Sequence, residues 1–338
     1  MKTQVRVAII GLGYWGPNLL RNFNGLDTAT VAACCDLDDR RFAKFLGHYP
    51  SVRFTTDFES VLKDSSIDAV AIATPVRTHY EVAKKCLLAG KHVLIEKPLT
   101  MQVNQAEELV EVAQKNGLTL MVDHVFVFSP PVEKMKEIID AGQLGRLYFI
   151  DSVRINLGLF QNDINVIWDL APHDLSIVDF LLGRLPLSLA AHGSSHAGGA
   201  LEDVAYLNLD YGDGLIANFH VNWLSPVKIR HMIIGGSSQS LVYDDLNSSE
   251  KIKVYNKGIT VVNDEEQRRQ SLIAYRSGDI WSPNLSMDEP LTRMANHFVD
   301  CIQNGKTCRS GGTEGLRVVK LLAAAQESIK AGGSRINL

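Results

Sequence analysis

The sequence lacks both a long apolar run and a block of positive charge. Its 338 residues carry 34 Lys and Arg against 38 Asp and Glu, and the two signs are mixed along the chain. Proteins that follow a nucleic-acid backbone need clustered Lys and Arg, so we expect no nucleic-acid partner. A membrane-spanning helix needs about 20 consecutive apolar residues, and no run approaches that length. The stretch before Gly11 is typical of a buried strand rather than a signal peptide, so we expect a cytoplasmic protein with no membrane contact.

Cysteine is scarce, and its spacing does not indicate a metal site or a disulfide framework. None of the cysteines forms a CxxC pair, so disulfides and structural zinc are not expected. No His-x-x-x-His or carboxylate cluster has ligand spacing, and we expect no metal. The simplest interpretation is that all five cysteines are small buried apolar residues. They are Cys34, Cys35, Cys86, Cys301 and Cys308.

The first third of the chain alternates apolar runs with amphipathic stretches. The apolar runs lack strict alternation, which is typical of strands covered on both faces in a parallel sheet. They cover residues 5–10, 29–35, 67–73, 91–96 and 118–123. The predicted helices cover residues 15–24, 38–46, 77–89 and 102–116. This order predicts an α/β fold in which residues 1–124 form a doubly wound parallel sheet.

The pattern changes after residue 124. A turn signal at Tyr211–Gly214 predicts a hairpin, and Thr313–Lys330 has the apolar spacing of a closing helix. We therefore predict a second α/β domain over residues 125–338, with a large, mostly antiparallel sheet that is packed on one face and open on the other. The predicted strand regions are 146–160, 202–214, 215–225 and 228–245.

A glycine-rich turn follows the first predicted strand and opens the first predicted helix. Gly11, Gly13 and Gly16 form the GxGxxG pattern of a Rossmann domain, in which backbone amides and a helix N-terminus hold a pyrophosphate. Tyr14 and Trp15, inside this turn, are candidates to lie over the cofactor or to fill the helix–sheet contact. The motif predicts a bound dinucleotide.

Asp36, at the end of the second predicted strand, indicates which dinucleotide is bound. A carboxylate at this position accepts hydrogen bonds from ribose hydroxyls and repels a 2′-phosphate. Leu37 follows it, where a small polar or basic residue would suit the phosphate. NAD is therefore expected over NADP, although Arg40 and Arg41 lie nearby in sequence.

Lys97 comes directly after the fifth predicted strand, between Glu96 and Pro98. Ligands in open α/β sheets lie outside the carboxyl ends of the strands, so Lys97 is expected to point toward the nicotinamide. There it would hydrogen-bond a substrate hydroxyl or relay a proton. The alternative is a surface Lys–Glu pair.

Asp169 and His173 interrupt an otherwise apolar run and are four residues apart, the spacing of one helix face. Histidine titrates near neutrality, so His173 suits the proton transfer that accompanies oxidation of a carbinol. We place both residues in the first turn of a helix, where Pro172 is tolerated and Asp169 orients the imidazole. The structural alternative is a helix cap at Asp169 and a satisfied core histidine.

Together these features resemble the Gfo/Idh/MocA oxidoreductases over essentially the whole chain. That resemblance implies a Rossmann domain followed by an α/β domain for substrate binding and oligomerisation, with an open sheet that is often an oligomer interface, here in a homodimer or homotetramer. It implies that Lys97 and His173 are catalytic and that Thr74, Pro75, His79, Glu96 and Lys97 line the cofactor site. The residues that carry it are Gly11, Gly13 and Gly16, Asp36, Thr74, Pro75 and His79, the run AGKHVLIEKPL, Asp169 and His173.

Several other polar residues are predicted to border the same cleft. They follow a predicted strand or precede the Asp169–His173 helix, where hydrogen bonds to a polyol are as plausible as solvated loop positions. These substrate candidates are His124, Arg154, Asn156, Gln161 and Asn165.

The leading hypothesis is an NAD-dependent oxidoreductase acting on a secondary hydroxyl or ketone of a sugar. Likeness to members linked to nucleotide-sugar and surface-polysaccharide biosynthesis favours a nucleotide sugar. Two alternatives stay open. One is a non-catalytic NAD-binding sensor or scaffold, and the other is redox-neutral sugar chemistry with tightly bound NAD.

Overall fold

The structure, a computed structural model, describes residues 4–158, 160, 163–261 and 273–338. It divides into two compact units: unit 1 comprises Met1–Ser129 and Asp288–Lys320, and unit 2 comprises Pro130–Met287 and Leu321–Leu338. The helices are α1 Gly16–Asn24, α2 Ala43–Leu46, α3 Phe58–Lys63, α4 His79–Leu88, α5 Val103–Lys115, α6 Pro130–Asp140, α7 Val166–Leu182, α8 Pro290–Asn304 and α9 Gly312–Lys330. The strands of unit 1 are β1 Val5–Ile10, β2 Ala29–Cys35, β3 Arg53–Thr55, β4 Ala69–Ile72, β5 His92–Glu96 and β6 Leu120–Asp123.

Unit 1 contains a six-stranded sheet in the order β3-β2-β1-β4-β5-β6, and every neighbouring pair is parallel. The doubly wound parallel sheet predicted from the sequence is confirmed. Its central strands are apolar because helices cover both faces of a parallel sheet; all four residues of β4 are buried. The three-residue edge strand β3 and the short helix α3 are too brief to give a periodic signal, and the sequence did not predict them.

Parallel strands bring the residues at their carboxyl ends to one edge of the sheet. Gly11, Asp36 and Thr74 follow β1, β2 and β4, while Lys97 follows β5 and Asp123 ends β6. This edge therefore gathers the candidate cofactor residues of unit 1.

Unit 1 also contains α8, a segment that the sequence analysis assigned to the C-terminal domain. The ring of Phe298 on α8 contacts that of Phe23 on α1 edge to face, with centroids 6.2 Å apart. Arg21 and Glu289 form a salt bridge between the same two segments. The packing of apolar side chains 275 positions apart has no signature in local sequence, which is why periodicity did not reveal it.

Unit 2 contains a nine-stranded sheet in the order β16-β13-β12-β11-β7-β10-β9-β8-β17. Within it, β7 and β10 pair in parallel and the other neighbours pair antiparallel, which confirms a mostly antiparallel sheet. The strands of unit 2 are β7 Leu147–Leu157, β8 Ser188–Ser194, β9 Val204–Gly212, β10 Leu215–Asn222, β11 Leu224–Gly236, β12 Ser240–Asp244, β13 Ile252–Tyr255, β14 Gly258–Val261, β15 Ile273–Arg276, β16 Ile280–Trp281 and β17 Ile336–Asn337. β14 and β15 form a separate two-stranded sheet.

The nine-stranded sheet has one packed and one open face. Helix α7 packs against β7, β9 and β10 on one side. On strand β9 buried residues alternate with accessible ones, and Tyr206 is 55% exposed. Tyr206 stacks on His220 of β10 with ring centroids 4.3 Å apart. The predicted hairpin joins β9 to β10, with Asp213 and Gly214 in the left-handed region at φ 52° and 79°.

Among the residues that the structure describes, no helix combines enough length with enough apolar character for a transmembrane span.

The five cysteines differ in burial. Cys34, Cys35, Cys86 and Cys301 are buried, as predicted. The prediction was wrong for Cys308, which is partly exposed because the exposed turn after α8 carries it to the surface.

Candidate active site

The turn after β1 has room only for glycine at two positions. A Cβ atom on Gly16 would lie 1.9 Å from the carbonyl oxygen of Gly11, and one on Gly11 would lie 2.7 Å from that of Ala73. Gly11 also has a φ of 92°, a conformation that side-chain-bearing residues rarely adopt. These contacts fix a tight turn that leads directly into α1, the geometry that accepts a pyrophosphate at a helix N-terminus.

Tyr14 and Trp15 project from this turn into solvent. Tyr14 is 81% exposed and Trp15 is 41% exposed, with the rings edge to face. Neither ring therefore fills the helix–sheet contact, which was one of the two roles predicted for them.

Asp36 links the end of β2 to the glycine turn. One carboxylate oxygen accepts the amide N–H of Leu12 at 2.6 Å, and the other accepts that of Asp38 at 2.9 Å. The Arg41 guanidinium lies 3.7 Å from the same carboxylate, whereas Arg40 is engaged with Asp38 at 2.7 Å. The Asp36 carboxylate is thus held in place at the end of β2, where the ribose of a dinucleotide would be expected to lie.

His79 connects the loops that follow β4 and β5. It is buried, with Nδ1 2.9 Å from the carbonyl oxygen of Pro98 and Nε2 2.9 Å from that of Thr74. Burial lowers the pKa of His79, and a neutral imidazole donates from only one nitrogen at a time. His79 therefore acts on the site through the two loops it joins, and Thr74 in turn accepts a hydrogen bond from Thr78 at 2.8 Å.

Glu96 and Asp123 lie opposite each other on β5 and β6, with exposed fractions of 8% and 4%. Their carboxyl groups hydrogen-bond to each other, so one of them must carry a proton. Burial raises the pKa of Asp123 to about 6. Burial, followed by the charge of Asp123, raises the pKa of Glu96 well above its usual range. With one proton shared, the pair holds a single negative charge, and the charge of Lys97 acts on both carboxyls.

His124 follows this pair and is also buried, at 2% exposure. Burial, aided by the charge of Lys97, lowers the pKa of His124 to about 3, so its ring is neutral. Neither ring nitrogen has a hydrogen-bond partner among the described residues. Buried polar atoms are normally satisfied, which makes this ring a candidate to receive a ligand's hydrogen bond.

In unit 2, α7 carries Asp169 and His173. Both side chains are half-buried, whereas Trp168, Pro172 and Asp174 are buried. The indole Nε1–H of Trp223 donates to the Asp169 carboxylate at 3.1 Å. The helix thus presents an acid and an imidazole on one accessible stripe, with the acid held by a buried tryptophan.

The start of α7 differs from the prediction. The helix begins at Val166, capped by Asn165, whose Oδ1 accepts the amide N–H of Trp168 at 3.1 Å. Asp169 is therefore not the cap, and Pro172 lies inside the helix. Asp169 lies in the first turn, as predicted, but the placement of His173 there was wrong, because a cap-type Asp and a nearby Pro resemble a helix start while the true cap lies four residues earlier. The helix dipole falls off within the first turn, so it acts only weakly on His173.

Two of the predicted substrate residues have their side chains engaged inside unit 2. Arg154 forms a bidentate salt bridge with Asp174, at 3.0 and 2.6 Å, and is only 2% exposed. The Asn165 amide donates to Glu202 and Gln326, both at 2.6 Å. These contacts give Arg154 and Asn165 roles in placing α7. Direct contact of either residue with substrate stays a prediction.

The remaining substrate candidates differ in accessibility. Asn156 lies two residues after Arg154 on β7, on the same face of the strand, and is half-buried. Gln161 lies outside the described residues.

Asp123, Asp174 and Trp223 were not predicted from the sequence to be functional residues. An acid at the end of a predicted strand was the available signal for Asp123, and an acid next to His173 was the signal for Asp174. Trp223 gave no signal because it is 54 positions from Asp169. Among the described residues, no group of three or more His, Cys, Asp or Glu side chains has an arrangement suited to a metal ion.

Two models of known protein families match this chain. Residues 5–124 match the model described as "Oxidoreductase family, NAD-binding Rossmann fold", and residues 132–242 match the "GFO/IDH/MocA C-terminal domain". The chain belongs to the Gfo/Idh/MocA oxidoreductase family. This confirms the family that the sequence motifs indicated.

Similar members of the Gfo/Idh/MocA family include sugar and inositol dehydrogenases. Inositol 2-dehydrogenase 2 of Saccharopolyspora erythraea is 30% identical over 224 residues, which span 64% of this chain and 66% of that protein. UDP-N-acetylglucosamine 3-dehydrogenase of Acidithiobacillus ferrooxidans is 28% identical over 266 residues, spanning 76% and 79% of the two chains. A solved structure of the latter enzyme shares the fold with a TM-score of 0.82 at 23% identity, covering 98% of this chain and 99% of the other.

Proposed function

We propose that this Gfo/Idh/MocA protein is an NAD-dependent dehydrogenase or ketoreductase acting on a secondary hydroxyl or ketone of a nucleotide-activated sugar. The observation that carries the proposal is the sheet edge of unit 1. There a turn with room only for glycine, the Asp36 carboxylate and Lys97 beside a carboxyl pair all follow the ends of parallel strands. Binding alone requires no lysine beside a shared-proton carboxyl pair, so this arrangement favours catalysis over a purely sensing role.

The residues present fit a dinucleotide. Gly11 and Gly16 hold the turn in a tight form that side chains would not allow, which is the form in which backbone amides can approach a pyrophosphate, and Asp36 offers carboxylate oxygens to ribose hydroxyls. A nicotinamide held there would supply the hydride chemistry that interconverts carbinol and ketone. The chain itself must then move the hydroxyl proton.

We assign that proton transfer to His173, with Asp169 orienting its ring and Trp223 holding Asp169. Lys97 polarises the hydroxyl or relays its proton. The Glu96–Asp123 pair contributes one negative charge near the Lys97 ammonium, so the lysine is stabilised without two full carboxylate charges. Each of these groups acts by position and charge, as general acid–base catalysis requires.

NAD is favoured over NADP by the surroundings of Asp36. A 2′-phosphate would approach a carboxylate held by two backbone amides. Arg40 is committed to Asp38, and Leu37, which is 91% exposed, offers the phosphate no polar contact. Arg41 is the remaining cation beside the carboxylate.

A nucleotide sugar is favoured over a free polyol by the similarity to UDP-N-acetylglucosamine 3-dehydrogenase, which extends over 76% of this chain. Because the chain is also similar to an inositol dehydrogenase, free polyols are the substrates with which nucleotide sugars should be compared. The experiment is to follow reduced-nicotinamide absorbance with UDP-sugars and with free inositols and aldoses. Faster turnover of UDP-sugars is expected, and faster turnover of an inositol would overturn the nucleotide-sugar assignment.

Matched variants then test the residues. Lys97→Ala and His173→Ala should each lower kcat by about 10²–10⁴-fold, the usual contribution of a general acid or base. Lys115→Ala and His48→Ala change exposed residues of the same types in unit 1 and should leave kcat unchanged. Full activity in either active-site variant would exclude that residue from catalysis. Tight NAD binding without turnover of any sugar would instead indicate a sensor, and product formation without net reduction would indicate redox-neutral chemistry.

We also infer that the open face of the nine-stranded sheet joins copies of this chain into a homodimer or homotetramer. Tyr206, exposed and stacked on His220, lies on that face and would be covered by a second copy. Light scattering after gel filtration should show an oligomer for the native chain and a smaller species for Tyr206→Glu. A monomeric native chain would overturn the inference.

A further inference from the structure

An exposed aromatic ring in unit 2 lies close to the acid of the Asp169–His173 helix. Phe160 follows the end of β7 and is 45% exposed. Its ring contacts that of Trp223, with the centroids 5.5 Å apart and the planes inclined by 60°. Trp223 is only 1% exposed and donates its indole N–H to Asp169 at 3.1 Å. One buried tryptophan thus joins a solvent-facing phenyl ring to the proposed catalytic residues.

Gly158 fixes the path of the chain from β7 to Phe160. A Cβ atom on Gly158 would lie 2.4 Å from Cδ1 of Trp223, so a residue with a side chain does not fit there. Cδ1 is bonded to the Nε1 atom that holds Asp169, and the N–H of Gly158 donates to the carbonyl oxygen of Trp223 at 2.9 Å. The main chain therefore passes along the edge of the indole that bonds Asp169, and Phe160 follows two residues later.

The phenyl ring and the Asp169 carboxylate are close enough to contact one small ligand. Two contacts in series, of 5.5 Å and 3.1 Å, separate them, and a sugar ring with its hydroxyl groups spans a comparable distance. Asp169 and His173 share the accessible stripe of α7, and Asn156 is half-buried on β7. A sugar bound at this stripe is therefore large enough to reach Phe160.

The chemistry of these groups suits a sugar ring. A pyranose has hydroxyl groups around its rim and C–H bonds on its faces. The face of an aromatic ring is negatively polarised and attracts the positive ends of such C–H bonds, while a carboxylate and an imidazole bond the hydroxyls. Covering an exposed phenyl ring also removes apolar surface from water. An aromatic side chain with a few converging polar groups is the usual lining of a small-molecule site.

We propose that Phe160 is a specificity-determining residue that stacks on the C–H face of the reacting sugar ring. The proposal rests on the proposed function, because it takes the sugar to react at His173. A nucleobase can also stack on a phenyl ring, but it carries no carbinol for His173 to deprotonate. The sugar, and not the base, is therefore the part of a nucleotide sugar that lies between His173 and Phe160.

A stacking role for Phe160 has a specific kinetic consequence. The ring contacts carbons of the sugar rather than the oxygen that loses or gains a proton, so the contact is as strong in the bound substrate as in the transition state. Loss of such a uniform contact raises KM and leaves kcat unchanged. Loss of the proton-transferring His173, in contrast, lowers kcat. The two residues are therefore distinguished by the kinetic constant that each one changes.

The kinetic test uses the full chain with UDP-N-acetylglucosamine, or with whichever sugar of the substrate panel it turns over. Phe160→Ala and Phe160→Leu should raise KM for the sugar about tenfold, equivalent to about 1.4 kcal/mol, with kcat and the KM for the nicotinamide cofactor unchanged. Phe160→Tyr keeps the ring and should retain the native KM. Leu88→Ala truncates another exposed apolar side chain, at the end of α4 in unit 1, and is the control.

A second measurement detects the contact without turnover. Aromatic protons of the full chain are saturated by selective irradiation in the presence of NADH and excess UDP-N-acetylglucosamine, or of myo-inositol in a separate sample. With the native chain, saturation should reach the sugar-ring protons and be strongest for the axial protons of one face. With Phe160→Leu this transfer should be lost, while the uridine protons in the same spectrum provide the internal reference.

Three outcomes would overturn the role of Phe160. They are an unchanged KM in both Phe160→Ala and Phe160→Leu, the absence of saturation of sugar-ring protons by the native chain, and a smaller oligomer for Phe160→Ala in light scattering, which would place the ring against a second copy. Saturation of the sugar by the native chain without turnover would instead refute the proposed dehydrogenase and leave the Phe160 assignment in place. Circular dichroism shows whether each variant keeps the fold, and the comparison of Phe160→Leu with Phe160→Tyr decides the question if Phe160→Ala does not.

Discussion

Glu96 and Asp123 share a proton across two parallel strands. Glu96 directly precedes the proposed catalytic Lys97 in the sequence, and the charge of Lys97 acts on both carboxyl groups. Two ionised carboxylates cannot hydrogen-bond to each other, so the proton is an integral part of this arrangement. The pair titrates as a unit, which gives it a measurable effect on folding.

The first prediction concerns the dependence of stability on pH. The pKa of Asp123 is raised to about 6 in the folded chain, above an unfolded value of about 3.9. Between these two values the folded state binds more protons than the unfolded state, so the pair's contribution to the free energy of unfolding falls as pH rises. Asp123→Asn removes the share of Asp123 in this slope and leaves that of the buried Glu96, so the variant should gain stability relative to the native chain as pH rises through this range.

Urea unfolding at several pH values within that window measures the difference. Asp27→Asn changes an exposed aspartate of unit 1 and provides the control. A constant stability difference between Asp123→Asn and the native chain at every pH would show that the raised pKa is absent.

The second prediction concerns cofactor preference. Asp36→Asn keeps an oxygen that can accept the Leu12 amide but removes the negative charge beside Arg41. The ratio of the Kd for NADPH to that for NADH should fall by about tenfold, equivalent to about 1.4 kcal/mol. Fluorescence titration gives both constants, and the exposed neighbour Asp39 supplies the control variant Asp39→Asn. An unchanged ratio would mean that Asp36 does not discriminate between the cofactors.

The third prediction concerns the buried pair of Arg154 and Asp174. Arg154→Met leaves Asp174 buried without its partner and should lower the free energy of unfolding by about 3–5 kcal/mol. The double variant Arg154→Met/Asp174→Leu removes both charges and should recover most of that loss. Arg146→Met, at an exposed arginine, should change stability little. Urea unfolding measures these variants and the single variant Asp174→Leu, and simple additivity of Arg154→Met and Asp174→Leu in the double variant would show that the pair is not coupled.

The fourth prediction concerns Trp223, which rests on the proposed role of Asp169. Trp223→Phe retains the ring in the core but removes the N–H that holds the Asp169 carboxylate. Because small misplacements of catalytic groups are costly, kcat should fall by roughly tenfold while the KM for NADH is unchanged. Trp281→Phe, at a partly exposed tryptophan, is the matched control. Equal kcat values for the two variants would remove Trp223 from the positioning of Asp169.

Local sequence carried enough information to predict the parallel sheet of unit 1. Runs such as β1 and β2 are apolar apart from Arg6 and Thr30 and match the predicted bounds. Their order along the chain then placed Asp36 and Lys97 at one edge of the sheet. The glycine turn was equally accessible, because its requirement is a backbone one.

The rest of the site depends on contacts between distant segments. The bond of Trp223 to Asp169, the pairing of Glu96 with Asp123 and the salt bridge of Arg154 all join residues that no periodic pattern connects. The start of α7 was misplaced for a related reason. An interior proline normally costs about 3 kcal/mol, so local rules place Pro172 at a helix start, whereas burial of most side chains of the run from Val166 outweighs that cost.

The obstacle at Gly16 is a carbonyl oxygen of the main chain, not a side chain. Substitutions elsewhere in the core cannot move it aside by adopting smaller residues. Any homologue with another amino acid at this position must therefore have a differently shaped loop after its first strand, whatever the rest of its sequence retains. The residue at position 16 thus separates relatives that keep the shape of this turn from those that have lost it, and it can be read from their sequences alone.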